Sequence, residues 1–227
     1  MNERLITPIA YVKSDFKEKF GIPRQSGRAP DNLSQIVFKK EFSDINAFRE
    51  IQSFSHLWII FDFSKAHKDG FCPLVRPPRL GGNRKVGVFA SRSPFRPNNL
   101  GLSSVKFVSL NQSQSGIISI TVAGADLLDG TPVYDIKPYL PFTDCHNDAI
   151  GGYADEQADY KLDLNLPENV SEYFSETQLL ALKQCLQDDP RPSYQDDGKV
   201  YGMHFADYNV KFTVKDKTLT VTKIEKI

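Results

Sequence analysis

Apolar positions in the first two thirds of the chain alternate with polar ones or gather in short runs rich in β-branched and aromatic residues, at residues 5–12, 35–38, 56–63, 86–89, 102–110, 116–123 and 131–136. A period of two is the mark of a half-buried strand, whose successive side chains point to opposite faces. Gly, Pro, Asn and Ser between the runs predict turns, and the spacing predicts antiparallel β structure. One segment breaks the pattern. Residues 43–53 (SDINAFREIQS) open on Ser43, place Ile45, Phe48 and Ile51 at helical spacing and contain neither Pro nor Gly, which predicts a short amphipathic helix capping the sheet.

After Pro141 the chain turns polar, acidic and weakly periodic, and a second unit is expected to begin near Leu164. Ser175 is placed to cap a helix whose Leu179, Leu182, Cys185 and Leu186 share one face, and Asp189-Pro190 is expected to stop it. Strands are expected at residues 200–205, 209–214 and 219–224. The expected organisation is therefore a β domain, residues 1–164, and a small α+β domain, residues 165–227. The second is near the lower size limit for independent folding, so it must lean on the first or on a second subunit.

The chain has 227 residues, 40% of them hydrophobic, enough to bury a core without covalent staples. No apolar run approaches the roughly 18 residues that span a bilayer, and the first residues lack a signal-peptide core. A cytoplasmic protein without membrane association is expected. Cys72, Cys145 and Cys185 are odd in number and far apart, with no CxxC pair, and are expected to be reduced. His56, His67, His146 and His204 share no ligand spacing with each other or with the cysteines, so no metal is expected. His56 reads as a buried strand residue. No GxSxG, P-loop or GxGxxG pattern is present, which leaves hydrolase, kinase and ordinary dinucleotide-fold readings without a basis.

Formal net charge is zero, but the charges are segregated. Residues 1–69 carry 11 basic and 9 acidic groups, residues 70–125 carry 7 basic and no acidic ones, and residues 126–227 carry 10 and 19. The arginines of the middle stretch must find carboxylates across the fold, water or an anionic ligand. A solvated face paired with the acidic C-terminal part explains the charge equally well. The densest signal is residues 79–103. Gly81-Gly82, Asn98-Asn99 and Gly101 allow close backbone approach to a ligand, Arg84, Arg92 and Arg96 supply planar donors, and Arg92-Ser93-Pro94-Phe95-Arg96-Pro97-Asn98 is a stiff loop. A structural turn between two strands is the competing reading.

The stretch PRLGGNRKVGVFASRSPFRPNNLGLS resembles the signature of the TsaA-like (TrmO) family. Companions follow in the family's order: KFGIPRQ at 19–25, HLW at 56–58, VRPP at 75–78, DLLDGTPV at 126–133 and DIKPY at 135–139. The resemblance implies an antiparallel β-barrel, a homodimer, and S-adenosylmethionine held by these loops. Carried onto matching positions, it implies a cofactor set of Pro23, Arg24, Gln25, Lys65, Arg92, Leu102, Asp126, Leu127, Leu128 and Asp129. The chain has Ser91 where the family usually shows threonine, Asn98-Asn99-Leu100-Gly101 in place of a Pro-Asn-Pro-Ile-Gly ending, and Ser64 where relatives tend to have histidine.

Asp189-Pro190-Arg191-Pro192-Ser193-Tyr194 is similar to the DPRPxY motif of longer, bacterial members, where it lies close to methyl transfer. It implies Asp189, Arg191 and Tyr194 as the catalytic residues on the substrate side; their chemistry suits Tyr194 to stacking on an extruded base, Arg191 to holding a phosphate or a carboxylate, and Asp189 to accepting a proton. A helix stop with a structural ion pair is the plainer reading of the same residues. The activity implied is methyl transfer from S-adenosylmethionine to N6 of threonylcarbamoylated adenosine 37 of tRNA. The alternative is a non-catalytic S-adenosylmethionine sensor or RNA-binding regulator using the same site.

Overall fold

The structure is a computed structural model, and it describes residues 5–68, 70–77, 84–191 and 197–227. Six strands close into a barrel: β1 (Ala10–Lys13), β2 (Leu33–Phe38), β3 (His56–Asp62), β6 (Leu100–Gln112), β7 (Ile118–Ala123) and β8 (Pro132–Pro138), in the order β1-β2-β7-β6-β3-β8 with every pairing antiparallel. Alternation fixes the register, because a slip of one residue would turn the apolar set outward. Ile36, Leu57, Ile59, Val105, Ile118, Ile120 and Val133 accordingly fill the interior. A small ribbon, β4 (Leu74–Val75) with β5 (Val86–Gly87), stands outside it.

β6 is long enough to serve two neighbours. Its first half pairs with β3 as far as Lys106, and from Lys106 onward it pairs with β7, with a bulge between Phe107 and Ser109. β7 stops at Ala123, so the flank of β6 around Ser103 is left for the segment that follows. Gly124 makes that turn at φ +76°, and a side chain there would meet the Gly27 backbone at 3.4 Å. The β1–β2 connection crosses at this point, held by hydrogen bonds from Gly27 N to Gly124 O (2.8 Å) and from Gly124 N to Asn32 O (2.9 Å).

The C-terminal part is an α+β unit. α1 (Pro141–Asp144) lies on the path to it. β9 (Asp163–Asn165) pairs parallel with β12 (Thr218–Lys226), β12 pairs antiparallel with β11 (Tyr208–Lys215), and β11 pairs antiparallel with β10 (Tyr201–Phe205). α2 (Glu176–Gln187) covers the sheet with Leu182, Cys185 and Leu186. Its start is a capping box, with Ser175 Oγ accepting from Gln178 N and Gln178 Oε1 from Ser175 N. β9 straddles residue 164, and Leu162 is buried in the core of this unit.

The unit does lean on the barrel polypeptide. The β1–β2 connection leaves the barrel and lays Phe16 and Ala29 into the C-terminal core, while Phe20 stacks on Tyr201 and Phe212. Gly21, at φ +93°, sits so close to β10 that a Cβ would fall 2.3 Å from Met203.

Three expectations are corrected. Residues 43–53 form no α-helix: 3-10 turns at Ile45–Phe48 and Ile51–Ser53 are separated by Glu50 at φ 66°. Phe48 alone of the expected apolar stripe is buried, against Phe38, and Ile45 is half exposed, so too little area is gained to hold a full helix. The first strand begins only at Ala10, because Pro8 donates no ladder hydrogen bond and Leu5 and Ile6 have nothing to cover them. His56 is exposed, its Nδ1 against Ser55 Oγ. Cys72, Cys145 and Cys185 are unpaired thiols. Among the described residues no helix is long and apolar enough to cross a membrane.

Candidate functional site

The β1–β2 connection, the loop after β5, the start of β6 and the turn after β7 converge at one end of the barrel. Arg92, exposed, donates from Nη1 to Gln25 Oε1 at 2.6 Å. Asp126 accepts from Ser103 Oγ at 2.6 Å. Burial pushes the Asp126 carboxyl above its ordinary value, while the Ser103 hydrogen bond and the positive charge of Arg92 pull the other way. The result is a cluster of a cation, an amide and a poorly solvated carboxylate at this end of the barrel. Leu102, 55% exposed beside Ser103, adds apolar surface.

The loop bearing Arg92 is rigid. Arg96 Nη1 donates to the carbonyls of Val88 (3.1 Å) and Ser91 (2.7 Å), and Asn99 Nδ2 donates to Pro94 O (2.7 Å). Arg96 is thus a strut for the loop, and Arg92 is the donor left at its tip. Phe63 N bonds Asn99 O at 2.9 Å, tying the loop to the end of β3.

The other implied cofactor residues divide. Pro23 and Leu127 are buried, Leu127 inside the barrel core, so its side chain has no route to a ligand. Asp129 turns away toward the other strand ends, accepting from Ser14 N and Lys17 Nζ, both at 2.9 Å. Leu128 is half-buried between them, and its carbonyl accepts from Thr131 N. Lys65 is exposed, and its carbonyl accepts from Lys19 Nζ. His67, three residues after Ser64, bonds Asp62 through Nε2 at 2.8 Å.

Arg24 does not point with Gln25. Its Nη2 donates to Arg191 O at 2.6 Å and reaches Pro190 O at 3.5 Å, so it bridges to the turn after α2. There Asp189 takes the left-handed conformation at φ 49°, and its two carboxylate oxygens receive Arg191 Nε (3.0 Å) and Nη2 (3.1 Å). Both side chains are largely buried. Burial alone would lower the Arg191 guanidinium, but its hydrogen bonds to Asp189, and beyond that to Asp197, hold it above its ordinary value. Arg191 Nη1, the remaining arm, meets the half-exposed Asp197 at 3.3 Å. Tyr194 lies outside the described residues, as do Arg79 and Gly81-Gly82.

Two further contacts weld this turn to the barrel side: Arg28 with Asp188 (Nε 2.7 Å, Nη2 2.5 Å), and Asp31 with Gln184, in both directions, at 3.0 and 2.6 Å. Of the residues found here, Ser103, Arg28 and Asp188 were not foreseen. Ser103 had a signal, a polar residue at an inward position of β6; Arg28 and Asp188 are 160 positions apart and had none. Among the described residues no group of three or more His, Cys, Asp or Glu could hold a metal ion.

Residues 11–145 match the model of the tRNA-methyltransferase O N-terminal domain, and residues 161–227 that of the TrmO C-terminal domain. A tRNA (adenine(37)-N6)-methyltransferase of Escherichia coli is 37% identical over 231 residues, covering 96% of each chain. The crystal structure of TrmO from Pseudomonas aeruginosa superposes with a TM-score of 0.77 at 30% identity, covering 99% of this chain and all of that one. A shorter relative, the S-adenosyl-L-methionine-binding protein of Archaeoglobus fulgidus, is 37% identical over 147 residues, 65% of this chain and 97% of its own.

Proposed function

The chain belongs to the tRNA-methyltransferase O family, and from that premise we propose that it transfers the methyl group of S-adenosylmethionine to N6 of adenosine 37 of tRNA. The observation that carries the reading is that one segment, Pro23-Arg24-Gln25, touches both halves of the needed machinery: Gln25 holds Arg92, and Arg24 holds Arg191.

The cofactor cluster suits its ligand. Arg92 offers a charge-assisted partner for the carboxylate of S-adenosylmethionine, Asp126 an acceptor for its amine or a ribose hydroxyl, and Leu102 an apolar contact. When bound, S-adenosylmethionine supplies a methyl group on a sulfonium, already electrophilic. The residues of the chain then have to orient the target nitrogen, exclude water and provide for one departing proton. Asp189 is spoken for by Arg191, so its role is to fix the guanidinium, with Arg191 Nη1 as the arm turned outward. We assign that arm to the carboxylate of the threonylcarbamoyl group, which would replace Asp197, and Tyr194 to the target base.

The assembly proposed is a homodimer working in the cytoplasm, and the exposed apolar Phe142 (86%) and Ile150 (89%), on the segment joining the two units, support a contact there. The deciding experiment is mass spectrometry of nucleosides from tRNA incubated with the purified chain and labelled S-adenosylmethionine. Label in N6-methylated threonylcarbamoyladenosine is expected. Cofactor binding with no labelled nucleoside would favour the sensor reading.

A further inference from the structure

Two aromatic rings stand out of the arginine loop with little to cover them. Phe89 is 72% exposed and stacks on Phe71, itself 59% exposed, at 6.2 Å between centroids and 25° between planes. The Arg96 guanidinium carbon lies 5.9 Å from the Phe89 ring centre. Farther along the loop Phe95 is 40% exposed, with Lys68 Nζ 4.3 Å from its centroid. Large exposed rings of this kind mark an interaction surface in a water-soluble domain.

The rings are fixed before any partner arrives. The 3-10 turn Val88–Ala90 is held by Arg96 and by Ser91 Oγ, both on the Val88 carbonyl, and by Tyr153 Oη on the Ala90 carbonyl at 3.0 Å. Pro94 O, next to Phe95, accepts from Asn99 Nδ2 and from Arg96 N. Little conformational freedom remains to be lost on binding. Phe89 and Phe95 lie three residues either side of Arg92, so the surface borders the cofactor cluster.

Its charge chooses among partners. The stretch 70–125 contains no carboxylate. Among the described residues no ion pair engages Arg76, Arg84, Lys85 or Arg96. A two-fold contact between copies of this chain would set that cationic face against itself. A polyanion with exposed flat rings meets both properties at once, since bases stack on aromatic side chains while phosphates lie along cations.

We infer that Phe89, backed by Phe71, and Phe95 form a stacking platform for unpaired nucleotides of the tRNA anticodon loop that flank the target adenosine. The inference rests on the reading of tRNA as substrate. Stacking there would hold the loop splayed, so that the target base is presented to the cofactor cluster.

The test is an anticodon stem-loop carrying 2-aminopurine beside the target adenosine, titrated with the full chain. Binding is expected to quench the fluorescence. Phe89→Ala should weaken binding on the order of ten-fold and remove most of the quench, whereas Phe89→Trp should keep both. Affinity for S-adenosylmethionine by calorimetry and molecular mass by sedimentation should be unchanged in both variants. Phe71→Ala should weaken binding in the same direction. An affinity of Phe89→Ala within about two-fold of the parent overturns the platform. So does a fall in molecular mass, which would give the surface to a second copy of the chain. Tight binding of the stem-loop by all variants would sink the platform alone, while no binding by the parent would sink the tRNA reading with it.

Discussion

The Arg24 guanidinium donates to the carbonyl oxygen of Arg191 at 2.6 Å, so the residue next to the Gln25–Arg92 pair holds the turn that follows α2. The loop resemblance implied a cofactor contact at Arg24; the fold turns its side chain toward the second unit. Arg24→Ala is expected to change affinity for S-adenosylmethionine by less than about three-fold and to lower kcat for tRNA methylation by about ten-fold or more, since a small misplacement of the reacting groups is costly. Arg24→Lys, with one charged donor in place of a fork, should recover only part of the loss. Calorimetry and single-turnover methylation check the split; a loss confined to cofactor affinity would return Arg24 to the cofactor cluster.

Arg92 is the charged donor at the tip of a loop stiffened by Arg96 and Asn99. Arg92→Ala should lower cofactor affinity by about a hundred-fold or more, as expected when a charge-assisted contact to a carboxylate disappears and leaves that charge unpaired. Calorimetry reads it directly, and unchanged affinity would remove Arg92 from the cofactor set.

Arg28 and Asp188 form an ion pair whose side chains are 24% and 5% exposed. Arg28→Ala removes a counter-charge from a buried carboxylate, and a loss of about 2 kcal/mol in urea unfolding is expected, somewhat below the range for a fully buried pair because Arg28 is partly solvated. A change of a few tenths would mean that the contact is cosmetic.

The Asp126 carboxyl is raised from its ordinary 3.8, chiefly by burial. It therefore holds its proton more tightly folded than unfolded. Its contribution to stability is complete below 3.8 and is lost as pH rises through the folded value. Asp126→Asn, which keeps an oxygen for Ser103 but carries no charge, should be more stable than the parent near neutral pH, the difference closing in acid as pH falls toward 3.8. It should also bind S-adenosylmethionine more weakly. Urea unfolding at about pH 4 and about pH 7 tests the sign, and a less stable variant at neutrality would show that the charged form is the better accommodated one.

Much of the fold was written locally. The strands of the barrel, the antiparallel strands β10 to β12, the Ser175 cap and the end of α2 follow from alternation, capping chemistry and Asp189-Pro190, which act over a few residues. The expected helix at 43–53 failed because spacing says nothing of how much area the stripe will find to cover: Phe48 is buried, Ile51 only partly so, and Ile45 is half exposed. β9, three residues pairing parallel with a strand more than fifty positions later, was invisible for the same reason: its partner is chosen in three dimensions.

Of the site, the residue types and the arginine-rich, acid-free stretch were legible, because composition and charge are properties of the chain itself. Which of those residues face one another was not. The sequence determined most of the strands, the capped helix, the stiff loop and the motifs that tie the chain to its family. Only the tertiary structure decided that Arg96 braces its loop while Arg92 is presented, that Asp129 secures strand ends while Asp126 joins the cofactor cluster, and that Arg24 spans to Arg191. Local preferences act between neighbours, whereas a binding site is made by contacts between segments as far apart as residues 24 and 191, and those exist only once the barrel closes and the β1–β2 connection is laid across the second unit.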